Sequence, residues 1–378
     1  MTPLLLAASL LAMTQDTAWA PLARYLDESV GRKAFPGAVV AVGRRDTVLF
    51  ERGFGTLGGG DRTRPGPTTI YDLASLTKVV GLTTLAMMLV DEHALDLDAP
   101  VARYVPAFQA GGDSVTVREL LTHSSGLAAW QPLFREVHSR SEMFARVNAT
   151  PLEARPGTRT AYSDLGAMLL TEVVERLMGH RLDTLLETRV FRPLHMTDTR
   201  FLPPARLKPR IAPTEDDPWR GRVLRGEVHD ENAAAMGGVS GHAGLFSTAA
   251  DLVKFAQMLL RNGRTGAAGT AARGHGGTGR QLIDSATIAM FTRAQDPAFS
   301  SRALGWDTPS PGSSAGTKLS PHAFGHTGFT GTSIWIDPGR DLFIILLTNR
   351  VYPTRNNELI REVRPRVADL AVEAAEGR

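Results

Sequence analysis

The chain has 378 residues, 43% of them hydrophobic and 21% charged, a balance that allows a packed core and excludes global disorder. It has no cysteine, which removes disulfide scaffolds, thiol nucleophiles, Fe–S clusters and Cys-ligated zinc together. The net charge of +3 rests on 42 basic residues, only five of them lysines, scattered without the basic run of a nucleic-acid arm, so no nucleic-acid partner is expected.

Leu4 to Met13 is an apolar stretch, followed by polar residues and Ala18-Trp19-Ala20. The pattern reads as a signal peptide, residues 1–20, cleaved after Ala20, and predicts export to the periplasm or beyond. Its n-region lacks Lys and Arg, and the alternative is an ordinary first helix. No later segment is long and apolar enough to span a membrane, so the mature chain is expected to carry no integral membrane segment.

Pro21 to Arg32 has helical spacing in Leu22, Tyr25, Leu26 and Val30. Gly37–Val42 and Thr47–Phe50 read as two strands joined through Arg44-Arg45-Asp46 into a hairpin. Gly55–Thr69 is a Gly/Pro loop, and Leu76–Val90 a helix. From Leu95 to His180 the pattern is short helices and loops: Val117–Thr122, Phe134–Val147 and Leu165–Met178. Pro193–Gly226 reads as irregular, and Asp251–Arg261 as helical, with Asp251 in the first turn. Gly263–Gly279 is a low-complexity Gly/Ala-rich segment, expected to be a mobile loop. Thr332–Ile336 and Leu342–Leu347 are strands linked by the turn Asp337-Pro338-Gly339-Arg340. Asn357–Ala375 closes the chain as a helix.

The economical architecture is α+β: one antiparallel sheet built from both ends of the chain and flanked by terminal helices, with a helical domain inserted between. The expected boundaries are 21–75 and 280–378 for the sheet domain, 76–262 for the helical one and 263–279 for the loop.

Several motifs are set aside. Gly53-Phe54-Gly55-Thr56-Leu57-Gly58 fits G-x-G-x-x-G, but no helix follows to receive a pyrophosphate, so it reads as a loop. There is no Walker A sequence, no H-E-x-x-H and no serine in G-x-S-x-G. His229-Asp230-Glu231 with His242 has metal-ligand chemistry in principle; hydrogen-bonded structure is the preferred reading, and neither a metal nor a cofactor is expected. His123 and His195 are expected to be structural. Trp130, Trp219, Trp306 and Trp335 are expected in the core or a pocket wall.

The informative element is Ser75-Leu76-Thr77-Lys78 at the start of a predicted helix. A spacing of three puts Ser75 and Lys78 on one face, one turn apart. The free N–H groups of a helix N-terminus suit an oxyanion, and a desolvated lysine can activate a serine hydroxyl. Two companions follow in order: Tyr162-Ser163-Asp164 before a helix, and Gly325-His326-Thr327-Gly328-Phe329-Thr330-Gly331 running into a strand.

Together these resemble the serine β-lactamase and penicillin-binding protein superfamily, in its branch with class C β-lactamases, D-Ala-D-Ala carboxypeptidases and related esterases, whose pattern is S-x-x-K, Y-x-N and K/H-T-G. The likeness covers nearly all of the mature chain. Leu120–Leu127, Phe191–Met196, Gly226–Asn232 and Gly241–Thr248 also look like family signatures, the last two similar to a subgroup of exported muropeptide amidases and a penicillin-binding carboxypeptidase. The resemblance implies a five-stranded sheet and a Ser75 acyl-enzyme. Lys78 would be a base or relay and Tyr162 the proton shuttle. The oxyanion hole would be the N–H groups of Ser75 and Phe329. Asp164, His326, Thr327 and Gly328 would bind substrate.

Two departures matter. Asp164 replaces the usual Asn, which favours ammonium at Lys78 and shifts proton transfer toward Tyr162. His326 replaces the usual Lys and anchors a carboxylate weakly when neutral. The expected function is an exported serine hydrolase acting on amide bonds of cell-wall peptides or related small acyl compounds. A broad esterase and a weak β-lactamase are the alternatives within the enzyme class, and a penicillin-binding sensor without turnover the alternative outside it.

Overall fold

The computed structural model describes residues 3–109, 114–266 and 279–377. The hairpin is formed by Gly37–Gly43 (β1) and Val48–Gly55 (β2). Phe324–Thr327 (β3), Ser333–Asp337 (β4) and Leu342–Thr348 (β5) come from the other end of the chain. β1 pairs with β5, Ala41 opposite Ile345, giving one antiparallel five-stranded sheet in the order β2-β1-β5-β4-β3. The α+β architecture with a two-ended sheet is therefore present.

Strand periodicity explains the layers. Ala38, Val40, Val42, Ile344 and Leu346 face a core made with the terminal helices Pro3–Gly31 and Ile360–Glu376. Val39, Ala41, Ile334, Ile345 and Leu347 face the other way, into the core shared with the middle of the chain. The Gly-Ala-Val-Val-Ala-Val-Gly run of β1 is buried throughout, which is why it is apolar without alternation. Helix Ala249–Leu260 packs on the inner face of the sheet, and its core is continuous with that of helix Asp164–Met178.

Several expectations need correction. β2 continues to Gly55, so Gly53-Phe54-Gly55 is strand, not loop; Pro65 crosses so closely that a Cβ on Gly53 would lie 1.7 Å from its carbonyl oxygen. The expected helix Phe134–Val147 is two pieces, a 3-10 turn Leu133–Arg135 and an α-helix Arg140–Asn148. Ser139 divides them by capping the second, its hydroxyl accepting from Glu142 N–H. The last helix begins at Ile360, because the Asn357 amide is used to donate to Lys33 O and its carbonyl to accept from Leu359 N–H. The irregular stretch Pro193–Gly226 contains a 3-10 segment, Ala205–Arg210, and a two-residue ribbon pairing Asp216–Asp217 with Arg222–Val223. Of the segment expected to be mobile, residues 267–278 lie outside the described residues, as do residues 1–2 of the expected signal peptide; a bridge between Arg264 and Gln281 closes the segment's base. Trp306 and Trp335 are buried, but Trp130 and Trp219 are about half exposed, Trp130 on a cleft wall.

Candidate active site

From Tyr71 to Leu89 every residue is buried except Ser75. The turn that exposes it is held open by Asp72. One carboxylate oxygen accepts from Ala74 N–H at 2.8 Å and the other from His229 N–H at 2.7 Å. Ala74 has φ +47°, left-handed and costly for a residue with a Cβ, by about 1–2 kcal/mol. Such strain persists only where surroundings enforce it, and here it aims Ser75 into the cleft. The chain then winds into a wide-turned π segment, Lys78–Thr83, before the α-helix Thr84–Asp91, where a plain α-helix was expected.

Lys78 Nζ lies 3.1 Å from Ser75 Oγ, 2.7 Å from Asp164 Oδ1 and 3.0 Å from His242 O. An ammonium has three donors, and these are three acceptors. Burial alone would lower the Lys78 pKa, but the Asp164 carboxylate and the Tyr162 phenol outweigh it and hold it above the ordinary lysine value. At rest the lysine is a saturated ammonium. Nζ also sits 4.8 Å from the centre of the Tyr162 ring.

Asp164 opens helix Asp164–Met178, where Ser163 is the N-cap, accepting from Gly166 N–H and donating to Ala128 O. Ser163 N–H donates to His123 Nδ1, and the His123 ring packs on Tyr162 at 4.7 Å. His123 thus fixes both the helix start and the tyrosine ring. The Tyr162 hydroxyl is buried beside Lys78 and Ser75. Burial raises its pKa, with the Lys78 ammonium opposing, so it rests as a neutral phenol.

β3 brings the third segment. Thr330 Oγ1 donates to Asp72 O at 2.7 Å and Thr332 Oγ1 to Leu73 O at 3.0 Å. Gly328 lies so close that a Cβ there would stand 2.2 Å from both Leu73 O and Thr332 Oγ1. These contacts seat Phe329 beside the Ser75 turn, and its side chain is half exposed over the cleft. His326 is buried, donates through Nδ1 to Thr327 O at 2.8 Å, and has no partner for Nε2 among the described residues. Burial, with Arg302 and Lys78 nearby, holds its pKa well below the ordinary histidine value, so the ring is neutral.

Ser75, Tyr162 and Phe329 stand where two clefts meet. One, of about 370 Å³, runs past His326, Thr327 and Gly328 between Arg302 and Arg364. The other, of about 290 Å³, is walled by Trp130, Asp164, Asp230 and Glu231. The His229–Glu231 and His242 residues form separate pairs here. His242 Nε2–H donates to Asp230 at 2.8 Å, while His229 Nε2–H donates to Glu215 at 2.9 Å. Arg355 joins Glu215 to Glu231. Burial would raise the Glu215 pKa, but His229 and Arg355 hold it well below the carboxylate range. Among the described residues, no three of His, Asp and Glu converge as metal ligands would. His195 stands apart, its carbonyl accepting from Lys254.

The structure therefore gathers Ser75, Lys78, Tyr162, Asp164, His326, Thr327, Gly328 and Phe329 around the place where the two clefts meet. Sequence reasoning missed Asp72, Ala74, Arg302, Arg350 and Arg364. No motif marks them; their roles come from backbone geometry and from long-range packing.

A family model described as Beta-lactamase matches residues 22–368. A protein of Salmonella schwarzengrund (strain CVM19633), provisionally named a D-alanyl-D-alanine carboxypeptidase, is 34% identical over 319 residues, which are 76% of this chain and 71% of that one. A penicillin-binding protein homologue from Caulobacter crescentus has the same fold, with TM-score 0.73, 22% identity and coverage of 95% of this chain and 97% of that one. A β-lactamase from Mycobacterium bovis aligns with TM-score 0.58 and 27% identity over 90% of this chain and 96% of that one. The chain belongs to the beta-lactamase family, and it is a serine hydrolase of the β-lactamase and penicillin-binding protein fold.

Proposed function

We propose that this member of the beta-lactamase family is an exported hydrolase that cuts amide bonds of cell-wall peptides through a Ser75 acyl-enzyme, in the manner of a D-Ala-D-Ala carboxypeptidase or a muropeptide amidase. The observation that carries the reading is Lys78 Nζ, 3.1 Å from Ser75 Oγ, with Tyr162 over it. The name of the Salmonella relative supports the substrate class.

Ser75 Oγ attacks the carbonyl carbon and its proton passes to the Lys78–Tyr162 pair. Because Lys78 rests as ammonium and Tyr162 as phenol, one proton must first leave that pair. The N–H groups of Ser75 and Phe329 receive the oxyanion; such donors are typically worth about 3 kcal/mol each. The C–N bond breaks as Tyr162 protonates the departing amine. Water then attacks the ester with Tyr162 as proton acceptor, and Ser75 is regenerated.

Mass spectrometry of the protein with a fluorescent penicillin and with acetyl-D-alanyl-D-alanine tests this. A covalent adduct on Ser75, lost in Ser75→Ala, and release of D-alanine are the expected results. Acylation without turnover would select a penicillin-binding sensor instead, and faster cleavage of nitrophenyl esters than of any peptide would select an esterase. Export with cleavage after Ala20 is part of the same reading. It would remove Trp19, which stacks on Phe50 at 5.0 Å, and N-terminal sequencing of the secreted protein decides it.

A further inference from the structure

The larger cleft is lined by five arginines and two acids. Two of the arginines are already matched. Arg361 pairs with Glu358 at 3.0 Å, and Arg355 with Glu215 and Glu231. Asp307 accepts hydrogen bonds from Ser301 Oγ and Thr308 N–H. Arg302, Arg350 and Arg364 remain, with no carboxylate in ion-pair contact among the described residues. Three guanidiniums against Asp307 leave two positive charges uncompensated in one cleft.

The three stand in two places. Arg302 is half-buried, and its guanidinium has no ion pair or side-chain hydrogen bond among the described residues. It rests on the face of Tyr162, 5.2 Å from the ring centre. Arg364 reaches the far end of the H-T-G segment, donating to Gly328 O at 2.6 Å and Thr332 O at 2.8 Å, while its Nε is buried and unpartnered. Arg350 backs it, donating to Phe329 O, Arg355 O and Asn357 O at 2.8 Å each, bonds that hold it in place without neutralising its charge, with its guanidinium 4.4 Å from the Phe329 ring centre. Between the two places lies His326, 4% exposed, with its unpartnered Nε2. Burial pushes the Arg364 pKa down to about 9, with Arg350 adding to it, which marks a cation held without a counter-ion. Desolvated like charges are costly, and an arriving anion relieves that cost.

In the other cleft the acids already have partners, Asp164 with Lys78, Asp230 with His242 and Glu231 with Arg355, so the uncompensated charge lies on the arginine side and directs an anionic group there. In a peptide cut next to its C-terminus, the carboxylate-bearing part is the leaving residue. We propose that the leaving residue carries two carboxylates, one met by Arg302 beside Tyr162 and the other by Arg364 and Arg350 beside Gly328 and Phe329. The substrate class is thus an acyl peptide ending in an acidic amino acid. This rests on the amide-hydrolase reading above for the direction of cleavage, but the two-anion site itself is testable without turnover.

The test uses Ser75→Ala protein and calorimetry with two probes that differ by one carboxylate, acetyl-D-alanyl-D-glutamate and acetyl-D-alanyl-D-glutamine. The glutamate probe should bind about tenfold more tightly, the scale of one charge-assisted hydrogen bond. Adding Arg302→Gln should abolish that preference, and Arg302→Lys should retain part of it. The Arg302 guanidinium has no hydrogen bond or ion pair among the described residues, so its variants should fold, and a melting curve checks this. Equal affinity for the two probes, or a preference that survives Arg302→Gln, overturns the proposal. Failure of wild-type protein to hydrolyse any D-peptide would instead defeat the amide-hydrolase reading and leave the binding result standing.

Discussion

Replacing Asp164 by Asn isolates the electrostatic control of Lys78. The carboxylate sits 2.7 Å from Nζ, and the two side chains are 17% and 4% exposed, so solvent screens the pair little. Asparagine keeps an oxygen that can accept the same hydrogen bond, so the main change is the lost negative charge. Burial then acts on Lys78 with only Tyr162 opposing, and its pKa falls. An opposite charge at this range is worth about 1–3 pK units. The wild-type protein should therefore show acylation that rises with pH above neutrality, as the Lys78–Tyr162 pair loses a proton. In Asp164→Asn that rising limb should move about 1–3 pH units toward acid, as expected for a base freed of its anion. The assay is the rate of Ser75 acylation by a fluorescent penicillin from pH 5 to 10, followed by rapid quench. A limb that stays in place, or moves toward alkali, would refute the assignment of Lys78 as a carboxylate-clamped ammonium.

Gly328→Ala should slow acylation about 100-fold with little change in secondary structure. Its Cβ would have to clear Leu73 O and Thr332 Oγ1 from 2.2 Å, displacing Phe329 from the Ser75 turn, and a misplacement of about 1 Å carries a penalty of that size. Wild-type kinetics in Gly328→Ala would show that the close approach is dispensable. The protein should also lose stability as pH falls from 7 to 5. Burial, with Arg302 and Lys78 nearby, holds His123 and His326 well below the ordinary value, so below about pH 6.5 the unfolded chain binds more protons than the folded one. Each ring should then cost up to about 1.4 kcal/mol per pH unit until its folded pKa is reached. Urea denaturation at several pH values measures the slope, and His326→Gln should remove one histidine's share; a flat profile between pH 7 and 5 would contradict the neutral assignment. Asp72→Asn should impair acylation about tenfold or more, because asparagine puts an NH2 donor where one accepting oxygen stood, leaving either Ala74 N–H or His229 N–H buried and unmatched. Unchanged acylation in that variant would mean the Ser75 turn holds without its clamp.

The expectations that succeeded were those resting on short-range pattern. The apolar run Gly37–Val42, the turn Asp337–Arg340 and the helical spacing of Leu165–Met178 each fix local structure by themselves, and all three are present. Those that failed turned on competition. Ser139 starts a new helix inside a stretch that periodicity alone would run as one, and pairing with β1 makes strand of a glycine motif that looks like a loop. Trp219, expected in the core or a pocket wall, lies half exposed.

In the site, spacing marks the Ser75 and Lys78 pair, one helical turn apart, and the resemblance to the β-lactamase and penicillin-binding protein superfamily adds Tyr162 and the His326–Phe329 segment. A chain without cysteine and with five lysines makes that pair conspicuous. What sequence could not decide is everything carried by contacts between distant segments. The left-handed Ala74 depends on Asp72 and on His229, 157 residues further along. The charge on Lys78 depends on Asp164, 86 residues away, and on a carbonyl at His242. Whether 37 arginines are background or a binding site depends on which of them meet an acid, and only the folded chain shows that Arg302, Arg350 and Arg364 do not. Local pattern records the covalent and helical neighbourhood of each residue; desolvation and charge pairing are properties of the packed interior, and they exist only once the sheet has joined the two ends of the chain.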